Sequence, residues 1–285
     1  RCPVMVAPAM DLDMYAHYTT QRNLKELAEH GVGIVEPGSG ELASGLEGKG
    51  RMAEPEEIVE QLKQHFTEKK KSLAGKHFVV TAGATIEPID PVRFLSNHSS
   101  GKMGYAIAEE LARRGARVTL VSGRTALPVP QGVDRGDVLS AEEMFEATTR
   151  AFQEADGAVM AAAVADYTPA TVATEKLKKS DNDLSIPLKR TKDIAATLGR
   201  EKGGKLLIGF AMETTNEEAH ASEKLTKKNF DFIVLNSLGD AGAGFRHDTN
   251  KITIISKDSA AEYPLKAKKE VAADIIDELV KIMNN

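Results

Sequence analysis

The chain has one cysteine, Cys2, and no tryptophan. A single thiol excludes an intramolecular disulfide framework and fits a reducing cytoplasm. No Cys/His cluster has the spacing of a zinc site. No apolar run approaches the roughly 20 residues that cross a bilayer, so no membrane partner is expected. An excess of positive charge is also missing. The formal net charge is −5, which argues against a general nucleic-acid binder but leaves room for a local anion pocket. Neither GxGxxG nor GxxxxGK[ST] occurs where a dinucleotide or P-loop site needs it. The chain also lacks an initial Met and any targeting signal. It opens at Arg1 straight into a strand-like run, which reads as a fragment whose upstream part is missing.

What is present suffices for two domains. The 285 residues are 41% hydrophobic, enough for a real core. Pro3–Ala7 has strand composition and is followed by a loop over Pro8–Tyr15. A helix is expected over Thr20–His30 with Gly31 as its stop, then a strand over Val32–Val35. A glycine-rich loop leads into a helix ending at Phe66, with Pro55 near its first turn. The polar, basic run Thr67–Lys76 reads as a linker, dividing the chain into residues 1–66 and 77–285. Beyond it strands and helices alternate. Strands are expected at Phe78–Thr81, Arg117–Val121, Ala158–Val164, Leu206–Phe210 and Asp231–Leu235. Ser140 and Glu143 form a capping box. A hairpin (Lys251–Ser256, Glu262–Leu265) and a helix with Val271, Ile275, Ile276, Leu279 and Ile282 on one face end the chain. The fold class is α/β: a Rossmann-like three-layer, mostly parallel sheet with helices on both faces and a small C-terminal hairpin.

The most informative stretch is Phe78–Leu111. A buried strand runs into a long polar loop, which runs into a helix expected to be capped by Ser99 or Ser100. Free N–H groups and the positive end of the helix dipole make such a helix start an anion site. Gly101 and Gly104 let a phosphate approach the backbone. An ordinary strand–helix connection explains the glycines but not so many polar groups in so long a loop. Further strands end in VADYTPA, GFAMET and LNS, where the ligand of an open parallel sheet sits. Next come Lys176, Lys178 and Lys179, before an exposed polar turn at Ser180–Asp183. They form either a solvated basic loop or a mobile flap that orders over a triphosphate.

AGATIEPIDPVRFLSNHSSGKMG resembles the ligase half of the bifunctional phosphopantothenoylcysteine decarboxylase/phosphopantothenate–cysteine ligase family of coenzyme A biosynthesis. The resemblance is strongest over Lys76–Asn236. It implies CTP-dependent joining of 4′-phosphopantothenate to cysteine through an acyl-cytidylate, with Mg²⁺ on the triphosphate, in a cytoplasmic homodimer. It further implies Lys176 and Asn97 as catalytic residues. Asp90, Arg93, Ser100, Gly101, Lys102 and Met103 are then the substrate-binding residues. The nucleotide side takes Ala162, Ala163, Asp166, Lys176, Lys179, Phe210, Lys227, Lys228 and Asn236, with Asp166 also the metal candidate. Two plainer readings stand beside these: Asp166 as a turn residue and Phe210 as core.

The first 66 residues are similar to the end of the flavin-dependent decarboxylase half, so the fold is expected to begin with a partial α/β flavoprotein-like segment. PAMDLDMY resembles the family's PxMNxxMW, with Asp11 in place of Asn and Tyr15 in place of Trp. GELASG resembles its ACG segment, with Ser44 where the redox cysteine is expected. A hydroxyl cannot do thiol redox chemistry, so decarboxylation by this chain is not expected, and FMN belongs only to an intact decarboxylase domain. Two rivals remain: a nicotinamide-dependent oxidoreductase on the same sheet, and a non-catalytic flavin-binding remnant.

Overall fold

The computed structural model describes residues 3–178, 184–213, 216–237 and 247–284. The chain divides into two compact units after Lys70. Cys2, Lys179 and the Ser180–Asp183 turn lie outside the described residues.

In the first unit β1 (Met5–Val6) is followed by α1 (Leu12–Ala16), α2 (Tyr18–Glu29) and β2 (Gly33–Ile34), which pairs with β1 in parallel. The Pro8–Tyr15 segment is therefore not all loop. Asp11 starts a short helix there, its Oδ1 accepting from Leu12 N–H at 2.6 Å. The glycine-rich stretch is not a loop either. It forms an antiparallel hairpin of β3 (Gly38–Glu41) and β4 (Glu47–Arg51). Gly50, at φ +154, passes so close to Met10 that a Cβ would sit 2.3 Å from the Met10 carbonyl oxygen. Helix α3 (Pro55–Lys71) runs past Phe66, because Glu and Lys propagate helix and no breaker intervenes.

The second unit opens with β5 (His77–Ala82), buried at every residue. Next come a small hairpin of β6 (Ile86–Pro88) and β7 (Phe94–Ser96), then α4 (Lys102–Arg113), β8 (Arg117–Ser122), β9 (Val133–Asp137), α5 (Ala141–Phe152) and β10 (Gly157–Met160). A second hairpin, β11 (Tyr167–Pro169) with β12 (Leu188–Arg190), precedes α6 (Ile194–Glu201) and β13 (Leu206–Glu213). The chain continues through α7 (Glu217–Lys227), β14 (Phe232–Ser237), β15 (Thr249–Ser256), β16 (Ala260–Ala267) and α8 (Lys268–Met283).

Eight strands make one sheet in the order β16-β15-β14-β13-β10-β5-β8-β9. It is parallel from β9 to β14, and the closing hairpin adds its strands antiparallel. Alternate residues face opposite layers. Phe78, Val80 and Ala82 join the core with Ile107 and Leu111 of α4 and Ile275 and Leu279 of α8. Val79 packs with Met144 of α5 and Leu198 of α6, while Ile233 and Leu235 pack with Ala221 and Leu225 of α7. From β5 the chain steps to β8 on one side and returns to β10 on the other. That reversal is a switch point, where open sheets of this kind leave a crevice. Strand β9, helix α6 and both small hairpins are additions to the elements read from the sequence.

Candidate active site

Two cavities open at this switch point. The larger holds about 750 Å³ and the smaller about 150 Å³. They share Ala162, Ala163, Phe210 and Met212 as a common wall, so they adjoin as two parts of one cleft.

The loops after β5 and β10 are stitched together beneath it. Thr81 Oγ1 accepts from Ala162 N–H at 3.2 Å, Gly83 O from Ala163 N–H at 2.8 Å, and Thr85 Oγ1 from Ala165 N–H at 3.0 Å. Asn97 Nδ2 donates to Ala163 O at 3.2 Å and lines the larger cavity. An exposed amide is thus fixed beside the shared wall.

The smaller cavity sits under the first turn of α4. Gly101, not a serine, occupies the cap position at φ +79, and no side chain caps the helix. Ser99 Oγ instead accepts from Gly101 N–H at 3.3 Å. The first helical bond is Tyr105 N–H to Gly101 O, 3.1 Å. The N–H groups of Lys102, Met103 and Gly104 precede it and have no acceptor within the helix. Gly104 lets this turn sit on β5, since a Cβ there would lie 2.6 Å from Ala82 Cβ. Asn236 and Lys268 complete the lining. Asn236 is 9% exposed and its Oδ1 has no hydrogen-bond partner among the described residues. Burial lowers the Lys268 ammonium pKa, Lys102 lowers it further, and Asp248 partly opposes both.

Around the larger cavity the polar groups come from separate segments. Asp166 lines it and is exposed. Arg190, Lys192 and Asp193 line the far side, with Asp193 capping α6 by accepting from Ala196 N–H at 2.9 Å. Lys224 and Lys228, one turn apart, reach it from α7. Lys228 Nζ lies 3.2 Å from Asp193 Oδ2. Among the described residues no three His, Cys, Asp or Glu side chains cluster as metal ligands.

The expected residues therefore divide. Asn97, Ala162, Ala163, Asp166, Phe210 and Lys228 line the larger cavity, and Ser100, Gly101, Lys102, Met103 and Asn236 the smaller. Phe210 lines both cavities and also packs on the core. Lys227 is exposed and off the lining, where Lys224 stands instead. Asp90 and Arg93 line neither cavity. Asp90 Oδ1 accepts from the N–H groups of Val92 and Arg93 at 2.8 and 2.7 Å, and Oδ2 takes the Arg93 guanidinium at 2.6 and 2.9 Å. Together they grip Leu177: its N–H reaches Asp90 Oδ2 at 3.1 Å, and its carbonyl accepts from Arg93 Nη2 at 2.7 Å. Burial pushes the Asp90 carboxyl up, but Arg93 and these three N–H groups outweigh it and hold it well below the usual carboxylate range.

Lys176, next to this clamp, is exposed and outside both linings. The segment expected as a solvated loop or a mobile flap makes tertiary hydrogen bonds at several points before and at Leu177. Thr168 pairs with Lys189, and Ala173 N–H donates to Ile89 O at 3.0 Å. In the first unit Ser44 stands exposed in the β3–β4 turn, its Oγ accepting from Leu46 N–H at 3.4 Å. Arg190, Lys192, Asp193, Lys224 and Lys268 were missed from sequence. Asp193 ahead of Ile194 and Leu198 is a legible helix start, but nothing local marks Lys268.

Comparison with known proteins agrees with this architecture. Residues 73–283 match the family described as DNA/pantothenate metabolism flavoprotein C-terminal domain, and residues 1–67 the family described as Flavoprotein. The coenzyme A biosynthesis bifunctional protein CoaBC of Bacillus subtilis (strain 168) is 46% identical over 283 residues, covering 98% of this chain and 70% of that protein. A protein of an unknown prokaryotic organism named cysteine/cysteine sulfinic acid decarboxylase is 55% identical over 290 residues, covering 100% of this chain and 81% of that one. Among solved structures, the C-terminal domain of a CoaBC protein superposes with a TM-score of 0.65 at 46% identity, covering 75% of this chain and 98% of that chain. The chain belongs to the DNA/pantothenate metabolism flavoprotein family, alongside the bifunctional proteins of coenzyme A biosynthesis.

Proposed function

We propose that the second unit is a phosphopantothenate–cysteine ligase that uses CTP. On this reading residues 77–285 are the ligase domain, 67–76 a connection that begins as helix, and 1–66 a decarboxylase-like segment. The observation that carries it is the shared wall: an anion-binding helix start and a larger cation-lined cavity meet where the Asn97 amide is fixed. The relatives named for coenzyme A biosynthesis support the choice of substrate.

A carboxylate is a poor electrophile and must first be activated. Its oxygen attacks the α-phosphorus of CTP, forming an acyl-cytidylate and releasing pyrophosphate. The cysteine amine then attacks the acyl carbon, CMP leaves with the bridging oxygen, and the amine proton is lost. The α4 N–H groups hold the substrate phosphate, and Asn97 orients the acyl group at the junction. Lys228, Lys224, Arg190 and Lys192 face the triphosphate. Lys176, carried on the clamped segment, offsets charge on the reacting phosphate as the family resemblance implies. Mg²⁺ binds mostly through substrate phosphates and one or two carboxylates, and Asp166 is an exposed carboxylate on the cavity lining that would serve. When bound, the ion would neutralise the triphosphate.

The ligase is proposed to act as a cytoplasmic homodimer on small molecules alone. Val92, Phe94, Tyr167 and Leu188 on the two small hairpins are exposed apolar residues, and β16 is an open sheet edge. No described helix is long and apolar enough to cross a membrane. Ser44 supplies no thiol, so no decarboxylation of phosphopantothenoylcysteine is expected even with FMN added. The test is pyrophosphate release with each of four nucleoside triphosphates, with and without phosphopantothenate. Release that needs phosphopantothenate and is fastest with CTP supports the reading, and none with any nucleotide overturns it.

A further inference from the structure

The smaller cavity holds a charged group that the proposed chemistry has not yet used. Lys268 is the first residue of α8, more than 160 positions after the α4 start, yet it lines the same cavity. It is 8% exposed. Lysine is rarely buried to this degree without a purpose for its charge. Its Nζ donates to His247 O at 2.6 Å, and its own N–H donates to Asp248 O at 2.9 Å. Lys102, which lines the same cavity, has its Nζ 2.6 Å from Asp248 Oδ1.

These groups fit one ligand chemistry. Uncapped N–H groups and a buried ammonium favour a compact dianion. Asn236 lines the same cavity, and the Nδ2 end of its amide is a donor of the kind a phosphate oxygen accepts. We propose that Lys268 is the side-chain cation of the phosphate site, making this cavity select a phosphomonoester over the corresponding alcohol. This rests on the ligase reading for the identity of the substrate, but not for the binding of phosphate.

The test uses the full chain. Lys268→Met keeps the buried stem and removes the charge, while Lys268→Arg keeps the charge. Affinity for phosphopantothenate and for unphosphorylated pantothenate is measured by calorimetry. KM and kcat are measured where turnover exists. The Met variant is expected to bind phosphopantothenate roughly 10- to 100-fold more weakly, the scale for losing one charged hydrogen bond. Its affinity for pantothenate and its KM for CTP should change less than threefold, and Lys268→Arg should recover part of the loss. Should the Met variant melt early, the upward shift of its Tm by inorganic phosphate is compared with wild type at matched excess. Loss of that shift supports the proposal. An equal shift, or equal weakening for both substrates, overturns it. Phosphate binding that depends on Lys268 without any CMP formation would sink the ligase reading alone.

Discussion

The two ends of the cleft present positive charge by different means. At the α4 end the donors are backbone N–H groups on a helix packed against β5, with Lys268 and Asn236 buried beside them. Such donors are preorganised and lose little entropy on binding. At the other end the charge sits on Arg190, Lys192, Lys224 and Lys228, long side chains from different segments. Lys228 is already paired with Asp193 and Lys192 with Glu142, and the exposed Arg190 and Lys192 are screened by water and salt. A site built on backbone should tolerate few substitutions. One built on spread lysines should lose little with any single change. The clamp at Leu177 lines neither end: it is a polar tether that holds the chain beside Lys176.

Several substitutions would break or sharpen that contrast. Lys176→Gln should lower turnover by roughly a hundredfold or more, the scale for one electrostatic stabiliser of a transition state, with nucleotide affinity far less affected. Near-normal turnover would return the lysine run to a solvated loop. Gly101→Ala places a side chain at φ +79 with its Cβ 3.3 Å from Gly83 backbone atoms. It should cost about 1–3 kcal/mol in denaturant unfolding and raise KM for phosphopantothenate more than for CTP. Asp90→Asn should lower turnover about tenfold through the loosened clamp, in the range lost when a positioning contact shifts.

That variant also carries a pH signature. The Asp90 carboxyl pKa is depressed in the folded protein. Its stabilising contribution is present above the unfolded value of about 3.9 and lost as pH falls toward the lower folded value. Wild type should therefore exceed Asp90→Asn in stability from neutral pH down to about pH 4, with the gap closing below that. The smallest effects belong to α7. Lys228→Gln should raise KM for CTP by roughly threefold, and Lys227→Gln should leave it unchanged, as for a screened and an off-site charge.

Much of this was legible in the sequence because it rests on local signals. The apolar runs at β5, β8, β13 and β14 and the 3.6-residue pattern of α8 announce a parallel sheet and its cover. The glycines and serines before α4 announce the turn that lines the smaller cavity. What escaped depends on tertiary packing. β9 (VDRGD) is mostly exposed and lacks an apolar run. Nothing local shows that Asp90 and Arg93 also hold the Leu177 backbone, 87 and 84 positions away. Lys268 joins the α4 end of the cleft only because α8 and α4 pack together and their first residues line the same cavity.

The central claim is that bond formation occurs at the Ala162–Ala163 wall between a phosphate-held acyl substrate and a nucleotide. It is tested most directly with phosphopantothenate labelled with ¹⁸O in its carboxylate. Activation through an acyl-cytidylate transfers one labelled oxygen to the phosphate of CMP and none to pyrophosphate. Label in pyrophosphate or orthophosphate, or amide formed while CMP stays unlabelled, would contradict it.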